Sequence, residues 1–60
     1  MKTFEIEIAK RNLTGMVKVK LFGGGIHYVN ISDIAVQANR KVRIANQRYY
    51  QSAVWKIEKE

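Results

Sequence analysis

The sequence contains no cysteine and no proline among its 60 residues. Without cysteine, the chain cannot form a disulfide scaffold, a thiolate metal site or a thiol nucleophile. No apolar run approaches the ~20 residues that a membrane-spanning helix needs, and the N-terminus lacks the apolar core of a signal peptide. These absences predict a cytoplasmic protein that does not contact a membrane.

The chain is also too short for more than one hydrophobic core. A domain of this size buries only about 60% of the surface that its unfolded chain exposes. Hydrophobic residues nevertheless make up 47% of the sequence, which is an ordinary value for a folded protein. We therefore predict a single small domain over residues 1–60, with no separate cofactor domain.

Residues for acid–base or covalent catalysis do not cluster in this sequence. His27 is the only histidine, and no spacing links it to a nucleophile and an orienting acid. The Gly23–Gly25 run lacks the Lys-Ser/Thr pair of a phosphate-binding loop. The sequence therefore predicts a protein that is not an enzyme and that uses no metal or cofactor.

Positive charge dominates the sequence and is concentrated in two segments. Eleven Lys and Arg residues against five Asp and Glu residues give a net charge of +6. The first segment contributes Lys10, Arg11, Lys18 and Lys20, and the second contributes Arg40, Lys41, Arg43 and Arg48. If folding brings both segments to one face, they form a patch that attracts phosphate groups.

Alternation of apolar and polar residues predicts three strands in the first half of the chain. Residues 3–9 place Phe4, Ile6 and Ile8 on one face of a first strand, and a turn follows at 12–15. Residues 16–22 alternate again and form a second strand. The Gly23–Gly25 run then turns the chain into a third strand, 26–31, which pairs with the second.

The second half of the chain is more ambiguous. Residues 34–38 alternate as a strand, although Ser32 could instead cap a short helix over 33–39. A turn at 39–41 leads to a strand over 42–45. Residues 47–58 are compatible with either a strand or a short C-terminal helix, and Trp55 is predicted to lie in the core.

Together these elements predict a mainly β fold, a small SH3-like or OB-like barrel of five to six short antiparallel strands. Closing the barrel, or pairing edges between two subunits, protects sheet edges that no proline blunts. The same unpaired edges would also allow a homodimer.

Residues 16–34 read MVKVKLFGGGIHYVNISDI, which resembles the archaeal seven-kilodalton chromatin proteins, small SH3-like barrels that coat DNA. The matching positions are Met16, Val17, Lys18, Val19, Lys20, Gly25, Val29, Ile31, Ser32 and Ile34. The resemblance implies an SH3-like hairpin. It does not extend to intercalation, because Ala38 and Arg40 occupy the positions of the family's DNA-wedging Trp and its apolar neighbour.

Cationic and aromatic side chains form the candidate nucleic-acid-binding site. Lys18 and Lys20 project from one face of their strand, although Glu5 and Glu7 on the first strand could simply be their cross-strand partners. Adjacent Tyr49 and Tyr50 cannot both face inward, so one ring is expected in solvent. The candidate residues are Lys18, Lys20, Arg40, Lys41, Arg43, Arg48, Tyr49 and Tyr50.

The predicted function is binding of DNA or RNA through phosphate contacts and aromatic stacking. The alternative is a protein-binding module, such as a small phage- or plasmid-type inhibitor or accessory protein that covers an acidic partner surface.

Overall fold

A computed structural model describes all 60 residues as one helix, six strands and two 3₁₀ turns. The elements, in chain order, are α1 (Thr3–Asn12), β1 (Met16–Leu21), β2 (Ile26–Asn30), a 3₁₀ turn (Ile31–Asp33), β3 (Ile34–Gln37), β4 (Lys41–Ile44), β5 (Gln47–Tyr50), a second 3₁₀ turn (Gln51–Ala53) and β6 (Val54–Lys59). The prediction of a mainly β domain is confirmed.

The six strands form two separate antiparallel sheets. Sheet A has the order β2-β1-β6 and sheet B has the order β3-β4-β5. No strand ladder joins the two sheets, so the strands do not close into the expected barrel. The predicted β1–β2 hairpin and the strand interpretation of the segment after Ser32 are both confirmed.

Both sheets and the helix contribute to one hydrophobic core. Its buried members are Ile6, Val17, Val19, Val29, Ile34, Val42, Ile44, Val54 and Ile57. Side chains alternate along a strand, so residues between these positions lie on the outer faces of the sheets. Because the two inner faces share one core, the two outer faces look away from each other.

The prediction of a first strand over residues 3–9 is wrong, because Thr3–Asn12 is an α-helix. Ile6, Ala9 and Leu13 follow the i, i+3, i+7 spacing of a helical stripe and pack in or against the core. The Glu5 carboxylate accepts a hydrogen bond from the Lys2 backbone N–H at 2.7 Å. Basic residues in the last turn complement the helix dipole, so end effects also favour the helix.

The helix packs against β3 and β6, which are edge strands of different sheets. A buried glutamine reinforces this contact: Gln51 is only 4% exposed, and its Oε1 accepts a 2.5 Å hydrogen bond from the Thr3 hydroxyl. The Gln51 amide nitrogen donates to the Lys41 carbonyl at 3.1 Å. This side chain therefore ties α1 to β4.

The strand interpretation of residues 47–58 is confirmed, but this segment forms two strands rather than one and no C-terminal helix. The second 3₁₀ turn carries the chain from β5 in sheet B to β6 in sheet A. The first 3₁₀ turn makes the reverse crossing, from β2 to β3. Within this first turn, Asn30 rather than Ser32 provides the cap, since its side-chain oxygen accepts from the Ser32 N–H at 3.0 Å.

The prediction that Trp55 lies in the core is also wrong. The register of β6 shifts beside Lys20 and Leu21, and Trp55 is the extra residue at this bulge. The shift lets Val54 and Ile57 both point inward and leaves the indole 55% exposed.

Candidate nucleic-acid interface

Four predicted site residues lie together on the outer face of sheet B, which we call the basic sheet face: Lys41, Arg43, Arg48 and Tyr50. Strand register pairs Lys41 with Tyr50 and Arg43 with Arg48 across β4 and β5. Arg43 lies between the buried Val42 and Ile44, so its side chain points outward, as predicted. The two cross-strand pairs are neighbours and form a compact patch.

The strands of sheet B contain no carboxylate, and Asp33, which immediately precedes β3, forms no ion pair. Residues 34–57 contain no Asp or Glu, and both ion pairs of the protein involve Glu58 on the other sheet. Like charges placed directly opposite each other destabilise an antiparallel pair, and the Arg43–Arg48 pair is such a case. No ion pair therefore compensates the positive charge of the basic sheet face.

Two contacts orient side chains on the basic sheet face. Arg43 Nη1 donates a 2.7 Å hydrogen bond to the Ala45 carbonyl oxygen. Lys41 Nζ lies 4.5 Å from the centroid of the Tyr50 ring, which is a cation–π distance. Tyr50 itself is 61% exposed, so this is the tyrosine that the sequence predicts in solvent. The surface thus combines three cationic side chains with one accessible ring.

Tyr49 points the other way and packs against the core. Its hydroxyl lies 2.9 Å from His27 Nε2 and also donates a hydrogen bond to Gln47 Oε1. The Tyr49 ring is tilted 54° against the imidazole. These contacts bridge sheet B to sheet A, so Tyr49 is a packing residue and its ring is not presented for base stacking.

Arg40 lies in the β3–β4 turn, next to the basic sheet face. It borders a recess of about 660 Å³ that adjoins Tyr50. The lining residues are Met1, Lys2, Thr3, Asn39, Arg40, Tyr50, Gln51 and Ser52. The recess therefore contains two side-chain cations, an aromatic ring and several neutral polar groups, but no acid.

Lys18 and Lys20 lie on the outer face of sheet A, away from the other candidates. We call this surface the lysine–aromatic face: Lys18, Lys20, Tyr28, Trp55 and Lys56. Lys18 Nζ lies 5.9 Å from the Tyr28 ring centroid, and Lys20 Nζ lies 5.4 Å from the Trp55 ring. The two basic segments are therefore not gathered on one common face.

Glu58 partly neutralises the lysine–aromatic face. Its carboxylate lies 3.0 Å from Lys20 Nζ and 3.2 Å from Lys56 Nζ. Hydrogen bonds from Lys20 first and Lys56 second lower the pKa of Glu58 from its ordinary value. The suggested pairing of Glu5 and Glu7 with these lysines is wrong, because both glutamates are on α1.

Sequence reasoning missed Tyr28, Trp55 and Lys56 as surface candidates. Alternation along the hairpin could have found Tyr28, because register places it opposite the outward-facing Lys18. Trp55 could not be found in this way, since the bulge in β6 breaks the alternation.

No group of three or more His, Asp or Glu residues is arranged to hold a metal ion. The single α-helix is too short and too polar to cross a membrane.

Comparisons with protein-family models, curated proteins and solved structures find no match to this chain.

Proposed function

We propose that this protein binds nucleic acid through the basic sheet face. The observation that carries the proposal is the Arg43–Arg48 cross-strand pair on a sheet that has no carboxylate. This arrangement costs stability in the free protein, and a polyanion would relieve the repulsion. Guanidinium groups also match the geometry of phosphate oxygens through paired N–H donors.

Tyr50 adds a second mode of contact beside these cations. An exposed ring can stack on an unpaired base, whereas a base inside a duplex is covered by its neighbours. The combination of arginines and one free ring therefore favours single-stranded DNA or RNA. The resemblance of residues 16–34 to chromatin proteins falls on β1 and β2 of sheet A, so it does not carry this proposal.

The proposal also covers the fold: we infer that the two sheets form an SH3-like or OB-like arrangement. The support for an SH3-like or OB-like architecture is that two three-stranded antiparallel sheets pack around one core, although no strand pairing closes them into a barrel.

The test is a titration with short single- and double-stranded DNA and RNA at several salt concentrations. Each phosphate contact contributes a slope of about −0.7 on a single strand and −0.9 on a duplex in a plot of log K against log salt. We expect the double variant R43Q/R48Q to lower the slope by about 1.4 or 1.8, respectively. Its Tm should stay within a few degrees of the wild type, because the substitution also removes the like-charge pair.

A matched control is K10Q/R11Q, which removes the same charge from the last turn of α1. We expect this variant to retain most of the affinity and slope. No retention on any nucleic acid at low salt, or equal losses in both double variants, would contradict the proposal, because the second result indicates a response to net charge alone.

A second candidate function is protein binding through the outer face of sheet A. On this surface Ile26, Tyr28 and Trp55 are each about half exposed beside Lys18 and Lys20, and exposed apolar side chains grouped in this way favour a partner. Three lysines against one glutamate favour a partner surface that carries carboxylates around apolar side chains.

This alternative predicts a complex that survives nuclease treatment and is lost in the variants Y28S and K18E/K56E but retained in R43Q/R48Q. A complex that nuclease dissolves would contradict it. A concentration-dependent dimer that Y28S abolishes would assign the surface to a second copy of this chain instead.

A further inference from the structure

The recess beside Tyr50 is a concave site lined by charged, polar and aromatic residues, which the open basic sheet face does not provide. It is walled by the start of α1, the β3–β4 turn and the second 3₁₀ turn. Its volume of about 660 Å³ lies within the range of small-molecule sites, about 300–1,000 Å³. Lys2 and Arg40 supply two positive charges, and Thr3, Asn39 and Ser52 supply neutral hydrogen-bonding groups.

Arg40 occupies a backbone position that suits glycine better. Its φ is +59°, and the preceding Asn39 has a φ of +61°. Asparagine tolerates this left-handed region, but a long side chain such as arginine is disfavoured there. The turn therefore places a cation at the recess at the expense of backbone stability, a combination that is typical of binding sites.

We propose that this recess binds a phosphomonoester, the terminal phosphate of a nucleic-acid strand together with its end nucleotide. This inference rests on the proposed function, because it places a strand end beside the surface that would hold the strand. A terminal phosphate carries a charge of about −1.5 to −2 at neutral pH, which two cations can match. An internal phosphodiester carries a single negative charge, so it balances only one of these two cations.

Continuity with the basic sheet face supports the assignment. Tyr50 lines the recess and also belongs to that face, where Lys41 lies over its ring. A strand that ends in the recess would thus pass from Lys2 and Arg40 across Tyr50 to the arginines. The buried Gln51 holds the walls in place, since it bonds to Thr3 on one side and to Lys41 on the other.

The experiment compares short oligonucleotides that carry a 5′-phosphate, a 3′-phosphate or hydroxyl groups at both ends, with AMP as a competitor. We expect one phosphorylated end to raise affinity by about tenfold, as a charge-assisted contact does. AMP competition equal to that of the phosphorylated oligonucleotide would identify a free nucleotide as the source of the phosphomonoester. Equal affinity for all three oligonucleotides would overturn the proposal.

Three variants separate binding from backbone strain. R40G removes both the cation and the disfavoured conformation, so we expect a Tm raised by a few degrees and loss of the preference for the phosphorylated end. A45G relieves a similar left-handed residue, with φ +54°, outside the recess and should keep the preference. R40K retains the charge and should keep most of the preference for the phosphorylated end. A preference that persists in R40G would also overturn the proposal.

The variant R43Q/R48Q distinguishes this inference from the proposed function. It should weaken binding of every oligonucleotide but leave the ratio between phosphorylated and unphosphorylated ends unchanged. If unphosphorylated strands do not bind the wild type at all, the proposed function fails, while binding of AMP still reports on the recess.

Discussion

Replacing Ile6 with alanine tests how the N-terminal segment folds. Ile6 is fully buried, whereas Phe4 is 60% exposed and Ile8 is 42% exposed on the same helix. In a strand, these three side chains would share one face and be buried to a similar extent. The helix makes a different prediction, because only one of the three reaches the core.

The expected magnitude follows from this burial. An Ile→Ala substitution in a core costs about 2–5 kcal/mol, so we expect I6A to lower the free energy of unfolding by about 3 kcal/mol. For a chain of this size, that loss lowers the Tm by roughly 12–24 °C. F4A and I8A should change stability by less than about 0.5 kcal/mol, since they are surface substitutions to a better helix former.

The assay is urea unfolding followed by far-UV circular dichroism, with the three variants compared at one temperature. Similar losses for I6A, F4A and I8A would refute the helix and restore the strand interpretation. A loss below about 1 kcal/mol for I6A would show that α1 is not anchored through this side chain.

Two further predictions concern polar contacts. Q51L should lower the free energy of unfolding by about 1–3 kcal/mol, because it leaves the Thr3 hydroxyl and the Lys41 carbonyl without their buried partner. The control is S52A, at an exposed neighbouring residue. Equal effects of the two substitutions in urea unfolding would contradict the stabilising role of Gln51. Because Glu58 has a lowered pKa in the folded state, its pairing stabilises the protein above the ordinary value of about 4.5 and is lost as the pH falls through the lowered one. Stability measured between pH 6 and pH 2 should therefore fall less steeply in E58Q than in the wild type, and parallel curves would show that the pairing contributes nothing.

Local patterns were sufficient to predict much of the β structure. Alternation and the glycine run predicted the β1–β2 hairpin, where Gly23 and Gly24 adopt positive φ. Alternation failed over α1, because the polar and apolar residues of 3–9 fit a period of two, and the helical stripe emerges only when Ala9 and Leu13 are included. The break between β5 and β6 was missed because no glycine or proline marks it.

The candidate site was predictable in composition but not in arrangement. Strand alternation placed Arg43 outward, and the adjacency of two tyrosines required one exposed ring. Assigning strands to sheets depends on long-range pairing, so the sequence could not show that Lys18 and Lys20 lie on a different sheet from Lys41 and Arg43. The recess was also beyond prediction, because distant segments form its walls.

The pairing of β1 with β6 has a consequence for the order in which the molecule assembles. Sheet B is a continuous meander over residues 34–50, whereas β1 occupies the centre of sheet A and its second neighbour is the last strand of the chain. During synthesis on the ribosome, one flank of β1 stays open until β6 (Val54–Lys59) has also emerged. We expect sheet B to form first and sheet A to be completed late, since the ends of a long loop must meet before their contacts stabilise it.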